Sequence, residues 1–211
     1  MTLFKLNRNP KVLPLDIQLQ VPTPKAWLAK AANSLQELLS DHAECEKKAA
    51  ITAINFTRYF HEHRDVLDSL ALIAREEMRH FDRVLFWLDS YSLSYTPTEA
   101  CRYAKSLHQY VKQHRDAQIV DKLLVAAVIE ARSCERFALL VPWLDSKLGG
   151  FYSKLYEAEK RHAQVYINFA LKLSSQRKIH SRLSDILAYE ADLISAPERT
   201  FAFHSGVPSD V

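Results

Sequence analysis

Glycine is almost missing from this chain: Gly149, Gly150 and Gly206 are the three among 211 residues. A Gly-x-Gly-x-x-Gly turn, a phosphate-cradling loop and a Gly-x-Ser-x-Gly elbow each need several glycines close together, so all three are excluded. Cysteine is as scarce. Cys45, Cys101 and Cys134 make an odd number without Cys-x-x-Cys spacing, which argues against a disulfide framework or a thiolate zinc site. They read as small buried residues in a reducing cytoplasm. No apolar run approaches the roughly 18 residues that span a bilayer, and residues 1–10 have no signal-peptide core. A cytoplasmic chain with no membrane partner is expected.

What is present is the balance of a folded globular protein, with 48% hydrophobic and 25% charged residues. The formal charge of +3 is mildly basic and permits a polyanionic partner without establishing one. Pro10, Pro14 and Pro22 interrupt any period in residues 1–22, which read as an extended arm; residues 23–211 read as a single domain. Thr23 is the expected N-cap of a first helix, with Pro24 at its first position. Apolar residues then recur at helical spacing to about residue 60, through Leu35, Leu38, His42, Cys45, Ala49, Ala53 and Phe56.

A second helix is predicted over about 66–90, a shorter one from 96 to 114, and a long one over 116–140 that Pro142 ends or kinks. Gly149 and Gly150 mark a turn, followed by helices over 151–173 and 179–194 and an irregular tail. No alternating β pattern occurs. The fold class is all-α, a four-helix bundle with two additional shorter helices. Trp27, Phe56, Tyr59, Phe81, Trp87, Phe137, Trp143, Phe151, Tyr156, Tyr166 and Phe169 read as core, not as a platform for bases.

Charge on the apolar stripes carries the chemistry. Glu77 and His80 are three apart on the inward face of one helix, and Glu159 and His162 repeat the pair on another. A buried carboxylate is costly unless it is paired or ligates a metal. The other two long helices each add one. Glu46 aligns with Leu35, His42, Ala49 and Ala53, while Asp41, Glu44 and Lys48 face outward. Glu130 aligns with Leu123, Ala127, Cys134 and Phe137, and Glu135 is an alternative because that helix is apolar nearly all round.

One Glu from each of two helices plus Glu-x-x-His from two others is the ligand set of a carboxylate-bridged di-iron or di-manganese bundle. Oxygen-rich donors with two imidazoles suit iron or manganese better than zinc. His42 is either an outer support for Glu46 or a core histidine, and Glu76, Arg75 and Arg79 form a surface or outer-support group. His61, His63, His108, His114 and His180 read as solvated. Ser133 and Cys134 show no partner histidine of a nucleophilic site. The spacing allows a ferroxidase, a peroxide scavenger or a hydroxylase.

Several segments together resemble the MiaE-type tRNA hydroxylases, bacterial enzymes of the ferritin-like superfamily. They are residues 23–28 (TPKAWL), 41–50 (DHAECEKKAA), 74–81 (AREEMRHF), 102–104 (RYA), 129–137 (IEARSCERF) and 203–206 (FHSG). The resemblance implies oxygen-dependent hydroxylation of the isopentenyl chain of 2-methylthio-isopentenyl-adenosine beside a tRNA anticodon. It implies two iron ions, dioxygen as co-substrate, a tRNA substrate and an external electron donor. Carried onto this chain, Glu46 and His80 would serve one iron and Glu130 and His162 the other, with Glu77 and Glu159 bridging.

The fourth-helix ligand stays open at this point. Glu130 stands 29 residues before Glu159, close to the 31 between Glu46 and Glu77. An internal echo, Cys45-Glu46 against Cys134-Glu135, favours Glu135 instead. Ala163 stands where the family pattern leads one to expect Phe. Lys47, Lys48, Arg75, Arg79, Arg83, Arg132, Arg136, Lys160 and Arg161 are candidates for phosphate contacts. An iron-oxidising or peroxide-scavenging ferritin-like protein is the alternative function. A storage shell would need an acidic interior, a metal-free scaffold would leave six buried ionisable residues uncompensated, and a quinone hydroxylase would need an apolar membrane-facing surface.

Overall fold

The computed structural model describes residues 17–97, 102–111 and 115–209. Most of the expected arm, Cys101 and His114 lie outside them. The described residues form α1 (Lys25–Asn33), α2 (Leu35–Thr57), α3 (Arg64–Ser90), α4 (Arg102–Gln109), α5 (Arg115–Leu140), a 3-10 turn (Val141–Trp143), α6 (Ser146–Leu173) and α7 (Gln176–Ser195). A two-residue parallel bridge between β1 (Pro197–Glu198) and β2 (Val207–Pro208) completes the order. The all-α expectation holds.

Two helical hairpins make the bundle, α2 against α3 and α5 against α6. Each long helix buries one stripe, and the stripes build two separate apolar layers. One contains Ala53, Phe56, Leu70, Ile73, Leu123, Leu124, Tyr166 and Ala170. The other contains Leu38, Leu39, Val84, Leu88, Phe137, Leu140, Tyr152 and Leu155. On every long helix, the candidate ligands fall between the residues given to one layer and those given to the other. Most of the aromatics expected in the core are buried there; Trp143 is instead 48% exposed.

The expected first helix is broken. Ser34 leaves helical geometry at φ −128°, ψ 53°, so α1 and α2 are separate. Thr23 is not an N-cap. Its backbone N–H and hydroxyl both donate to Glu135, at 2.7 and 2.6 Å. The redirected α1 brings Trp27 beneath the chain's end, where its indole N–H donates to the carbonyl of Ala202 at 3.0 Å. Of the helix expected over 96–114, residues 96–97 and 110–111 are not helical, and among the described residues α4 covers 102–109.

Gly149 and Gly150 are not a turn. Asp145 caps α6, accepting from the N–H groups of Lys147 and Leu148 at 2.9 and 3.3 Å, so both glycines lie in its first turns. A Cβ at Gly149 would stand 3.1 Å from the carbonyl oxygen of Val141, which explains the small residue at this tight hairpin.

The tail is also ordered. Phe201 to Ser205 are all buried. Asp41 accepts the N–H of Phe203 at 2.6 Å, and Arg136 donates to the carbonyls of Phe203 and Ser205. Asp41 and Glu44, expected to face outward, are 2% and 6% exposed because one receives the tail and the other pairs with Lys47 and Tyr95. Arg132 and Arg136 are wholly buried and so contact no phosphate. Arg132 forms a two-bond pair with Glu190 at 2.8 and 2.9 Å, and Arg136 lies 4.1 Å over the Trp27 ring.

Gly206 fixes how close this tail can come to α7. A Cβ there would meet the carbonyl oxygens of Ala196 and Leu193 at 2.2 and 2.8 Å. Gly206→Ala should therefore destabilise the chain by about 1–3 kcal/mol through overpacking, read as a fall in Tm of about 2–10 °C. An unchanged Tm would show that the tail yields freely.

Candidate metal centre

Between the apolar layers, the four long helices direct charged side chains at one another. Glu46 comes from α2, Glu77 and His80 from α3, Glu130 from α5, and Glu159 and His162 from α6. Donor atoms of Glu46, Glu77, His80 and Glu159 all lie within 4.8 Å of one another. His162 joins them through Nδ1, 2.8 Å from both Glu77 Oε1 and Glu159 Oε2. Glu130 is buried and lines a small cavity together with Glu46 and Glu159. Glu135, the alternative on the same helix, is instead held by Thr23 and by Arg132 at 2.9 Å.

The supports around these side chains determine which atoms are free. His162 Nε2 stands 2.8 Å from Glu76 Oε2. Donation of that N–H to the carboxylate would leave Nδ1, once it gives up its own proton, as a lone pair aimed at the cluster, the arrangement metal-bound imidazoles usually have. Glu76 thus orients His162, and its carboxyl is held below the usual range because the His162 contact and nearby cations outweigh its partial burial. His42 does the same for Glu46, with Nε2 at 2.5 Å from Glu46 Oε1 and Nδ1 at 3.2 Å from the Tyr152 hydroxyl. Burial lowers His42 to about 3, so it is a neutral ring that donates to Glu46 and accepts from Tyr152.

Without metal, the charges compensate one another incompletely. Burial raises the carboxyls of Glu46 and Glu77, and raises that of Glu130 far above its ordinary value with help from Glu159 and Glu77. Burial alone would lower His80 and His162. Close contacts with the carboxylates of Glu159, Glu46 and Glu77 override it for His80, those with Glu159 and Glu77 override it for His162, and both are pushed up to about 12. Even so, Glu77 Oε1 and Glu159 Oε1 are buried without a hydrogen bond of sound geometry, although an imidazole nitrogen lies 2.8 and 3.1 Å away. One ring N–H cannot point at two oxygens. Cations seated among these oxygens would satisfy the orphaned atoms and release the histidine protons, so the donor set fits metal.

Two helical hairpins with carboxylates and paired Glu-x-x-His residues facing inward at mid-height define a ferritin-like carboxylate bundle, able to hold metal. A solved structure with that architecture, a Synechococcus protein with aldehyde deformylating oxygenase activity, superposes with a TM-score of 0.85 at 30% identity, covering 92% of this chain and 98% of its own. Residues 11–205 match the family described as tRNA-(MS[2]IO[6]A)-hydroxylase (MiaE), and this chain belongs to that family. Two relatives carry the name tRNA 2-(methylsulfanyl)-N(6)-isopentenyladenosine(37) hydroxylase. The Pseudomonas putida protein is 40% identical, with 92% of this chain and 95% of the relative covered; the Salmonella typhimurium protein is 35% identical, with 90% and 88% covered.

Some functional neighbours had weak sequence signals. Glu76 and His42 were visible as neighbours of candidate ligands, but not the atoms they support. His204, at 3.0 Å from Ser133, was visible only as part of the FHSG segment.

The protonation pattern predicts the pH response of the metal-free chain. Above the ordinary histidine pKa, folded His80 and His162 retain protons that the unfolded chain releases, and the three raised carboxyls act in the same direction. The folded state then binds more protons, so its stability falls as pH rises from 7 toward 9. Thermal unfolding should show a lower Tm at pH 9 than at pH 7. A level or rising Tm would show that these imidazoles are not cationic.

Proposed function

We propose that this chain is an oxygen-dependent di-iron hydroxylase of tRNA, acting on the isopentenyl chain of 2-methylthio-isopentenyl-adenosine beside the anticodon. The observation that carries this reading is the buried Glu and Glu-x-x-His cluster in a member of the MiaE family. Glu46, Glu77, His80, Glu130, Glu159 and His162 are the residues that would hold the two ions. The bound pair would supply the redox chemistry that reduces dioxygen and oxidises a C–H bond of the isopentenyl chain. In the overall balance, substrate, dioxygen, two electrons from an external donor and two protons give the hydroxylated chain and water.

The chain's own residues hold and shield the centre. Glu76 and His42 orient His162 and Glu46, and the two apolar layers exclude bulk water on either side. A groove of about 790 Å³ runs between α5, α6 and the segment before α1, with a mixed lining in which Ile17, Leu19, Ala131 and Ile167 are joined by the charged Glu135, Glu157, Lys160 and Arg161. Ala163, where the family resemblance led to an expectation of Phe, forms part of its wall. We assign this groove to the approach of the tRNA substrate, with exposed Lys160 and Arg161 at its rim for phosphates; none of the six proposed ligands lines it. A cytoplasmic location accords with such a substrate, and among the described residues no helix is long and apolar enough to cross a membrane.

Anaerobic reconstitution with ferrous iron should load two ions per chain. One round of reaction with tRNA bearing the 2-methylthio-isopentenyl base should then add one oxygen to that nucleoside, read by mass spectrometry, and require both iron and dioxygen. Glu77→Ala and His162→Ala should each lose metal and reduce product by at least about 100-fold, by loss of a ligand and its support. Two bound irons without oxygen insertion would move the reading to iron oxidation or another substrate. Unchanged metal and turnover in both variants would end it.

A further inference from the structure

The tail brings an unassigned histidine to the edge of the carboxylate cluster. A cavity of about 30 Å³ lies there between α2 and α5, lined by Glu46, Glu130 and Glu159 but by neither His80 nor His162. That volume holds one or two water-sized molecules, far below the ~150 Å³ that admits a benzene-sized guest. The prenyl chain does not fit; a diatomic molecule does.

Beside the carboxylates and His42, a chain of polar atoms reaches this cavity. His204 Nε2 is 3.0 Å from Ser133 Oγ, and His204 Nδ1 is 3.6 Å from Cys45 Sγ. The Cys45 thiol donates toward Asp41 Oδ2 at 3.8 Å. Tyr103 stacks on the His204 ring at 5.2 Å and 7°, and Phe203 meets its edge at 87°, so the ring plane is fixed. Burial and the Arg136 and Arg132 charges keep this imidazole neutral. A neutral ring has one donor and one acceptor nitrogen. With its proton on Nδ1, it accepts a hydrogen bond from the Ser133 O–H and leaves Oγ lone pairs to the cavity; with its proton on Nε2, it donates to Ser133 Oγ and frees the Ser133 O–H to donate there.

We infer that Ser133 contacts the small oxygen species held in this cavity, dioxygen or the water that replaces it, and that His204 is the positioning residue that sets the Ser133 hydroxyl. The inference rests on the oxygenase reading above, and no covalent step is assigned to the pair. Its effect is to hold oxygen beside Glu46 and Glu130 until substrate is oxidised, keeping dioxygen consumption coupled to product.

The test uses the full-length chain loaded with iron and oxidised, with azide as the probe of the cavity, read by optical titration. Ser133→Ala should weaken azide binding about fivefold, the worth of one hydrogen bond. It should also lower product formed per dioxygen consumed, leave the KM for tRNA unchanged and retain both irons. His204→Gln should act in the same direction, and Ser133→Thr should restore both values. Azide affinity and coupling equal to wild type in Ser133→Ala would overturn the inference; if that variant loses metal, equality in His204→Gln overturns it instead. A wild-type chain whose azide affinity depends on Ser133, but which leaves the tRNA unmodified, would refute the tRNA reading and sustain the pair.

Discussion

Everything in this fold is arranged around the cost of placing carboxylates where water cannot reach them. Four long helices each give up part of an apolar stripe to an acidic side chain, and the four acids meet at one level. Their mutual repulsion and lost hydration must be answered by positive charge. In the protein alone, two imidazoles answer it by holding protons far above their ordinary range. Metal ions would answer it better, because a cation can face several oxygens at once where a ring N–H faces one. The orphaned oxygens of Glu77 and Glu159 are the visible residue of that imbalance.

The same constraint explains why the core is divided. An acidic layer cannot be interleaved with leucines, so the apolar residues separate into a layer above and a layer below. The site is thereby shielded at both ends by packed side chains, while its sides are formed by the helices and the tail. Buried arginines do comparable work at the periphery. Arg132 and Arg136 tie α5 to Glu190, the start of α1 and the tail, through charge-assisted bonds whose partners are themselves buried.

How much of this was legible in the sequence follows from how local each signal is. The stripes of α2, α3, α5 and α6 repeat every three to four residues, and an acid on such a stripe stands out against its apolar neighbours. That is why Glu46, Glu77, Glu130 and Glu159 could be picked out with their two histidines. Glu135 could not be dismissed by the same reasoning, since its partners Thr23 and Arg132 include one 112 residues away. Asp41 and Glu44 were misread for the same reason: what buries them is the tail and Tyr95, distant in sequence. The break at Ser34 and the helical Gly149 depend on backbone geometry set by tertiary contacts, which no spacing rule reports.

The contact between Asp41 and Phe203 joins residues 162 positions apart. All six candidate ligands precede residue 163, whereas the segment that covers the cavity between α2 and α5 begins at 201. As the chain leaves the ribosome, all six of these side chains therefore emerge before the last wall of the cavity does. The cavity can close only after Phe203 and His204 have emerged. Until that closure, small solutes reach the layer from the side that the finished protein seals.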